Sequence, residues 1–235
     1  MLELLKNKRI LVVVAHPDDE LLGLGGTINK LSSEYNATTR AIILGEGITS
    51  RADGRNPEMW KKELDTHSQN MLLAAKAVGY DSIKGYDFPD NRFDSVDLLD
   101  IVKVIEKDKE DFRPDVIFTH HGGDTNIDHR VTFDAVMPAI RPMQGEIVKI
   151  VLTFETPSST EWQAPNYPNY FRPNVFIELS EANVEAKVKG MEHYEFESRK
   201  YPHPRSPEAL RIISKRWGVN VGYDYAEPFM LIRSI

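Results

Sequence analysis

Apolar residues recur along the chain in two alternating arrangements. Continuous β-branched runs come first, as in Arg9-Ile10-Leu11-Val12-Val13-Val14-Ala15 and Arg40-Ala41-Ile42-Ile43-Leu44. A run with no polar position on either face predicts a strand buried on both sides. Residues 82–87, 115–119 and 146–154 read as further strands. Between them apolar residues return at helical spacing. Leu21, Leu24, Ile28 and Leu31 predict a helix over about 20–35, and similar patterns predict helices over 57–78, 96–109 and 128–138. Pro57 near a first turn and Gly79 just past an end are the matching start and stop signals. Strand and helix alternate to about residue 155, which predicts an α/β fold with a mostly parallel sheet and helices on both faces.

The pattern loosens after that point. Residues 156–173 hold four prolines and two tyrosines and predict a long loop of the kind that rims a site. A short strand (175–178), helices over 182–199 and 207–217 and a last strand (229–233) follow. No shift in composition marks a boundary. The expectation is one domain, 1–235, with a core over 1–155 and an irregular C-terminal extension over 156–235.

Charge narrows the partners. The 235 residues carry 36 acidic against 29 basic side chains, a formal charge of −7. Such a chain has no electrostatic footprint for a phosphate backbone, so no nucleic-acid partner is expected. No window approaches the roughly 18 apolar residues of a membrane span. The first residues lack a signal-peptide pattern, which predicts a cytoplasmic protein. Cysteine is absent, so any metal must be held by histidine and carboxylates.

The chemistry lies just after two of the predicted strands. His16-Pro17-Asp18-Asp19-Glu20 follows the first, and His120-His121-Gly122-Gly123-Asp124-Thr125-Asn126-Ile127-Asp128-His129 follows the fourth. Open parallel sheets bind ligands at the carboxyl ends of their strands, so both clusters are expected at one edge. Three protein ligands and one open position make a catalytic zinc site. His16 and Asp19, three residues apart across a turn, can share an ion that His129 completes. Such an ion lowers the pKa of bound water to about 7, and Asp18 beside it is a base for the water's proton. An acidic run after a strand also caps helices, but capping does not explain the histidines. Asp128 reads both as a cap and as a partner fixing a catalytic imidazole.

Other signals are weaker. Gly23-Leu24-Gly25-Gly26 superficially suggests a dinucleotide loop, but it lacks the third glycine and lies inside the helical pattern, where close helix–sheet packing explains it. His67 reads as an ordinary polar helix residue.

These residues resemble the PIG-L/LmbE-like family of zinc-dependent N-acetylsugar deacetylases. Ala15 to Glu20 reproduces the signature Ala-His-Pro-Asp-Asp-Glu, and Asp128-His129-Arg130 matches the second signature. Phe88-Pro89-Asp90 after the third strand fits as well. The resemblance implies a Rossmann-like fold and one zinc ion on His16, Asp19 and His129. It also implies Asp18 as general base, a small N-acetylated sugar as substrate, and compatibility with a homo-oligomer. The chain departs at Asn126, where many members have a histidine that serves as acid or electrophile. An amide can donate to a developing oxyanion but cannot deliver a proton at neutral pH. The leaving amine's proton must then come from Asp18, or from His121 or His203.

Arg51 and Asp90 follow the second and third strands and are expected to meet sugar hydroxyls. Arg92 and Arg205 would pair with phosphate if the sugar is nucleotide-activated. Segments 120–130, 157–162 and 202–206 resemble a bacterial branch of the family associated with surface-glycan sugars. Trp162 and Tyr167 on the long loop either stack on a sugar or anchor the loop. Two alternatives stay open: a zinc amidase acting on another amide such as a thiol-sugar conjugate, and a non-catalytic metal- or glycan-binding protein.

Overall fold

A computed structural model describes residues 1–235. In chain order the elements are α1 (Leu2–Leu5), β1 (Arg9–Val14), α2 (Asp19–Leu22), α3 (Gly25–Glu34), β2 (Thr38–Gly45), α4 (Lys61–Val78), β3 (Ser82–Phe88) and α5 (Leu98–Phe112). They continue with β4 (Val116–His120), α6 (Ile127–Ala139), β5 (Ile150–Phe154), β6 (Val175–Leu179), α7 (Glu181–His193), α8 (Pro207–Val221) and β7 (Tyr225–Ser234). One seven-stranded sheet runs β3-β2-β1-β4-β5-β7-β6. The expected mostly parallel sheet is present: β1 to β5 are parallel, and β7 runs antiparallel to both β5 and β6.

β1 shows why an uninterrupted apolar run was needed. Ile10, Val12 and Val14 pack on one face with residues of α3, α4 and α7, whereas Leu11, Val13 and Ala15 pack on the other with α5 and α6. All six are fully buried. At about 1.5–3 kcal/mol for each large aliphatic side chain, this strand is a main anchor of the fold. The order of connections reverses between β1 and β4, which pair directly with Val13 opposite Thr119. That reversal opens a crevice beyond their carboxyl ends.

Several expected elements differ in their bounds: the last strand, anticipated over 229–233, runs over Tyr225–Ser234, and the helix anticipated from 57 begins at Lys61. The helix anticipated over 20–35 breaks at Gly23 and Leu24 into α2 and α3. A Cβ on Gly23 would stand 2.2 Å from the Phe154 ring, so the glycine answers to packing. At the start of α3 the N–H groups of Gly26 and Thr27 donate to the buried Glu227 carboxylate, which Lys187 pairs at 2.7 Å. The anion at that helix terminus is therefore part of the protein. The strand anticipated from 146 begins at Ile150. The helix anticipated to 199 ends at His193, and the segment after it brings Glu197, Arg199 and Arg205 to the crevice wall.

Candidate active site

The turn after β1 is built to splay three consecutive carboxylates. Asp18 adopts φ 107°, a conformation that costs a side-chain-bearing residue free energy and persists only when its surroundings fix it. The fixing contacts are local. Asp19 Oδ2 accepts the His16 N–H at 2.8 Å, and Glu20 Oε2 accepts the Asp18 N–H at 3.1 Å. Tyr194 O–H donates to the other oxygen of Glu20 at 2.7 Å. Glu20 is wholly enclosed, and burial pushes its carboxyl up to about 7. It braces the turn from behind, while Asp18 and Asp19 face the crevice.

From the second strand end, Asn126 caps α6 by accepting the Asp128 N–H at 2.8 Å. The first turn of the helix thereby carries His129 toward Asp19. Asp19 Oδ2 lies 3.3 Å from His16 Nδ1 and 3.3 Å from His129 Nε2, and donor atoms of the three residues lie within 4.8 Å of one another. Two donors each 2.0–2.1 Å from a tetrahedral ion stand about 3.4 Å apart, so the spacing fits one cation. Both ring nitrogens of His129 are buried, each 3.3 Å from a carboxylate oxygen, Nε2 from Asp19 and Nδ1 from Asp124, yet neither makes an aligned hydrogen bond. Burial opposes charge on this ring, yet Asp19 and Asp124 outweigh it and raise the imidazole to about 9. The position thus favours a bound cation, whether a proton or a metal ion.

The far sides of the rings are held by carboxylates. Asp128 Oδ2 lies 3.0 Å from His16 Nε2, and its other oxygen accepts the Phe93 N–H at 2.9 Å. The imidazole fixed by Asp128 is therefore that of His16, not of adjacent His129. Asp124 does that work for His129, with Oδ2 3.3 Å from Nδ1. Asp124 in turn accepts from the Ser159 and Thr160 hydroxyls and the Asn126 N–H. His120 stacks on His129 with centroids 3.8 Å apart. Its Nε2 accepts the Ala15 N–H at 2.9 Å. Burial and the neighbouring His129 push it down to about 4, which keeps it neutral.

These groups open into a cavity of about 210 Å³ lined by His16, Asp18, Asp19 and His129. Asp18 Oδ2 lies 3.0 Å from Arg205 Nη1, and the same nitrogen lies 2.6 Å from Glu197 Oε2. Burial pushes the Asp18 carboxyl well up, Arg205 pulls it back, and Asp19 and Glu197 add to the rise. Arg51 also lines the cavity, held 2.5 Å from Glu197 Oε1. Asp90, another wall residue, accepts the Ser50 N–H at 3.0 Å. Asn126 lines the wall and donates one Nδ2 hydrogen to Asn91.

Several candidates named from the sequence fall elsewhere, and the site also holds residues that sequence reasoning passed over. Arg92 is exposed and does not line the cavity, because neighbouring Phe93 fills the core and turns Arg92 outward. Arg205 lines it but is already engaged by two carboxylates. His121 Nε2 sits 2.7 Å from the Asn169 carbonyl, and His203 Nδ1 accepts the Arg205 N–H. Neither histidine lines the cavity, and neither do the exposed Trp162 and Tyr167. His67 is no ordinary surface residue: it is 3% exposed, with Nε2 3.5 Å from Glu197 Oε1. Asp124, Glu197 and Arg199 were not anticipated. Asp124 lay within the second cluster, between its histidines, whereas Glu197 and Arg199 were hidden in the over-extended helix.

The family model described as PIG-L, GlcNAc-PI de-N-acetylase, matches residues 11–140, which contain both strand-end clusters. The chain is 26% identical over 238 residues to a diacetylchitobiose deacetylase of Thermococcus kodakarensis, covering 97% of this chain and 84% of that one. It is 23% identical over 220 residues to a probable N-acetyl-alpha-D-glucosaminyl L-malate deacetylase 2 of Bacillus anthracis, covering 92% and 85%. Among solved structures, GalB, the 4-carboxy-2-hydroxymuconate hydratase of Pseudomonas putida, superposes with a TM-score of 0.72 at 22% identity, covering 97% of each chain. That likeness concerns the fold alone, and a hydratase on it shows that the fold does not choose the reaction. The match over residues 11–140, which spans both strand-end clusters, establishes that this chain belongs to the PIG-L family.

Proposed function

We propose that the chain is a metal-dependent hydrolase that removes the acetyl group from an N-acetylated amino sugar or sugar conjugate. The observation that carries this reading is the convergence of His16 Nδ1, Asp19 Oδ2 and His129 Nε2 on one point beside the Asp18 carboxylate. Family membership and the deacetylases among the relatives support the same reaction. His16, Asp19 and His129 would hold one divalent transition ion, zinc by the nature of the donors, which supplies a Lewis acid and an acidified water when bound.

Asp18 is the residue that moves the proton. It accepts one from the attacking water as the new C–O bond forms at the acetyl carbon. It returns that proton to nitrogen as the C–N bond breaks, and acetate and a free amine leave. No histidine other than His16 and His129 lines the cavity, so Asp18 serves both steps. Asn126 retains a second Nδ2 hydrogen for the carbonyl oxygen as it gains charge. Arg51 and Asp90 on the wall meet the sugar hydroxyls.

Purified protein assayed for transition-metal content and for acetate release from N-acetylated sugars tests this reading. One ion per chain and acetate release abolished by a chelator and restored by metal are expected. Metal-loaded protein that releases no acetate from any such sugar would reject the reaction.

A further inference from the structure

The cavity wall carries three guanidinium groups, Arg51, Arg199 and Arg205. Two of them are neutralised. Glu197 reaches Arg51 with one oxygen and Arg205 with the other, and Arg205 also pairs with Asp18. Arg199 has no carboxylate within 4.0 Å, although it is half-buried in the same wall. Its Nη1 donates to the carbonyls of Phe196 at 2.6 Å and Ser198 at 3.0 Å. Those two bonds lock the side chain against its own turn. They leave Nε and Nη2 without a protein acceptor, and that edge of a guanidinium grips a carboxylate or phosphate through two parallel bonds.

The local charge agrees. Four carboxylates line the cavity (Asp18, Asp19, Asp90 and Glu197) against three arginines. A divalent ion on His16, Asp19 and His129 would bring the sum over these lining groups to one positive charge, within a chain of −7. Burial, then Arg205 and Arg199, push nearby His203 down, as a cationic surface does. Arg199 and the candidate ligands line one cavity of about 210 Å³, small beside the roughly 300–1,000 Å³ of drug-sized pockets, so a single ligand filling it meets both.

We infer that Arg199 receives an anionic substituent, a phosphate or a carboxylate, carried by the N-acetylated sugar. The inference rests on the deacetylase reading above and adds the substrate class to it. Arg92 and Arg205, where the sequence suggested phosphate recognition, are respectively outside the cavity and already paired.

Three compounds test it with metal-loaded protein: neutral diacetylchitobiose, N-acetylglucosaminyl malate for the carboxylate, and N-acetylglucosamine 1-phosphate for the phosphate. The wild-type protein is expected to favour one anionic compound over the neutral one by at least roughly tenfold in kcat/KM, chiefly through KM. That is the lower end of what a charge-assisted hydrogen bond contributes. Arg199→Gln should cut the anionic-to-neutral ratio by about tenfold, and Arg199→Lys, which keeps the charge without the fork, should restore part of it. The compound that shows the effect identifies the anion. Equal kcat/KM for neutral and anionic compounds, or a ratio untouched in Arg199→Gln, overturns the inference. If none releases acetate, calorimetric binding of the same compounds separates the two claims. An anion preference lost in Arg199→Gln upholds the anion site and rejects deacetylation, whereas equal or absent binding of all three overturns the anion site as well.

Discussion

Asp128 Oδ2 stands 3.0 Å from His16 Nε2 across 112 residues of chain, and that contact decides which nitrogen of His16 faces Asp19. With Nε2 turned to the carboxylate, Nδ1 is left 3.3 Å from Asp19 Oδ2. Asp124 makes the corresponding choice for His129, leaving Nε2 toward Asp19. Partners of this kind are worth about 10–100-fold in metal affinity. Asp128→Ala and Asp124→Ala are each expected to weaken metal binding by that factor, with turnover recovered at raised metal concentration. Competition titration against a chromogenic chelator measures it, and unchanged affinity in both variants would remove the carboxylates from this role.

Asp18 lies beside the donor set without being needed to complete it. Asp18→Asn is expected to retain the ion while losing about 10²–10⁴ in turnover, the usual contribution of a positioned proton carrier. Metal analysis and acetate release on one preparation separate the two properties. Loss of the ion together with activity would make Asp18 a ligand instead.

Glu197 holds Arg51 and Arg205 at once. Burial works to raise its carboxyl, but His67 and the two arginines outweigh it, and its pKa lies below the usual value. A carboxylate depressed in the folded state contributes stability above its unfolded pKa of about 4.5, and this is lost as pH falls through the lower folded value. Glu197→Ala is expected to cost about 2–4 kcal/mol at pH 7 by leaving the two arginines without their shared partner. The deficit should shrink as pH falls below the unfolded value and through the lower folded one, as followed by denaturant melts. A pH-independent difference would contradict the charge argument.

Glu155 should behave in the opposite sense. Burial raises its carboxyl to about 7, against the bond it accepts from Trp217 Nε1–H. Stability from the protonated form is complete below about pH 4.5 and is lost as pH rises through 7. Glu155→Gln should therefore gain on the wild type by up to about 3 kcal/mol between pH 4.5 and 8. Thermal melts at the two pH values test the sign, and parallel curves would reject it.

Gly123 meets the long loop. A Cβ there would lie 1.8 Å from the Asn169 carbonyl oxygen and 2.8 Å from His121 Nε2. Because the first obstacle is backbone, Gly123→Ala should cost about 1–3 kcal/mol through forced displacement. Hydrogen exchange should quicken over residues 156–173, and an unperturbed melting temperature would show that the loop gives way freely.

The β-branched runs and the strand-end clusters were legible because their cause is local. A strand buried on both faces must be apolar throughout, and turn residues that follow it must lie at its carboxyl end. His16, Asp18, Asp19 and His129 could be named as candidates on those grounds. The helix over 182–199 was over-read because its pattern continues past His193, where Tyr194 leaves helical conformation and donates to Glu20. A hydrogen bond spanning 174 residues leaves no periodic trace.

The candidate ligands and the alternation of strand with helix were thus written in the chain itself, in residue types and their spacing from strand ends. Tertiary structure alone decided which carboxylate orients which imidazole, that Arg205 is paired while Arg199 is not, and that Arg92 points away. The physical reason is that a charge takes its meaning from what lies within about 4 Å of it, and folding brings those neighbours from residues far apart in sequence.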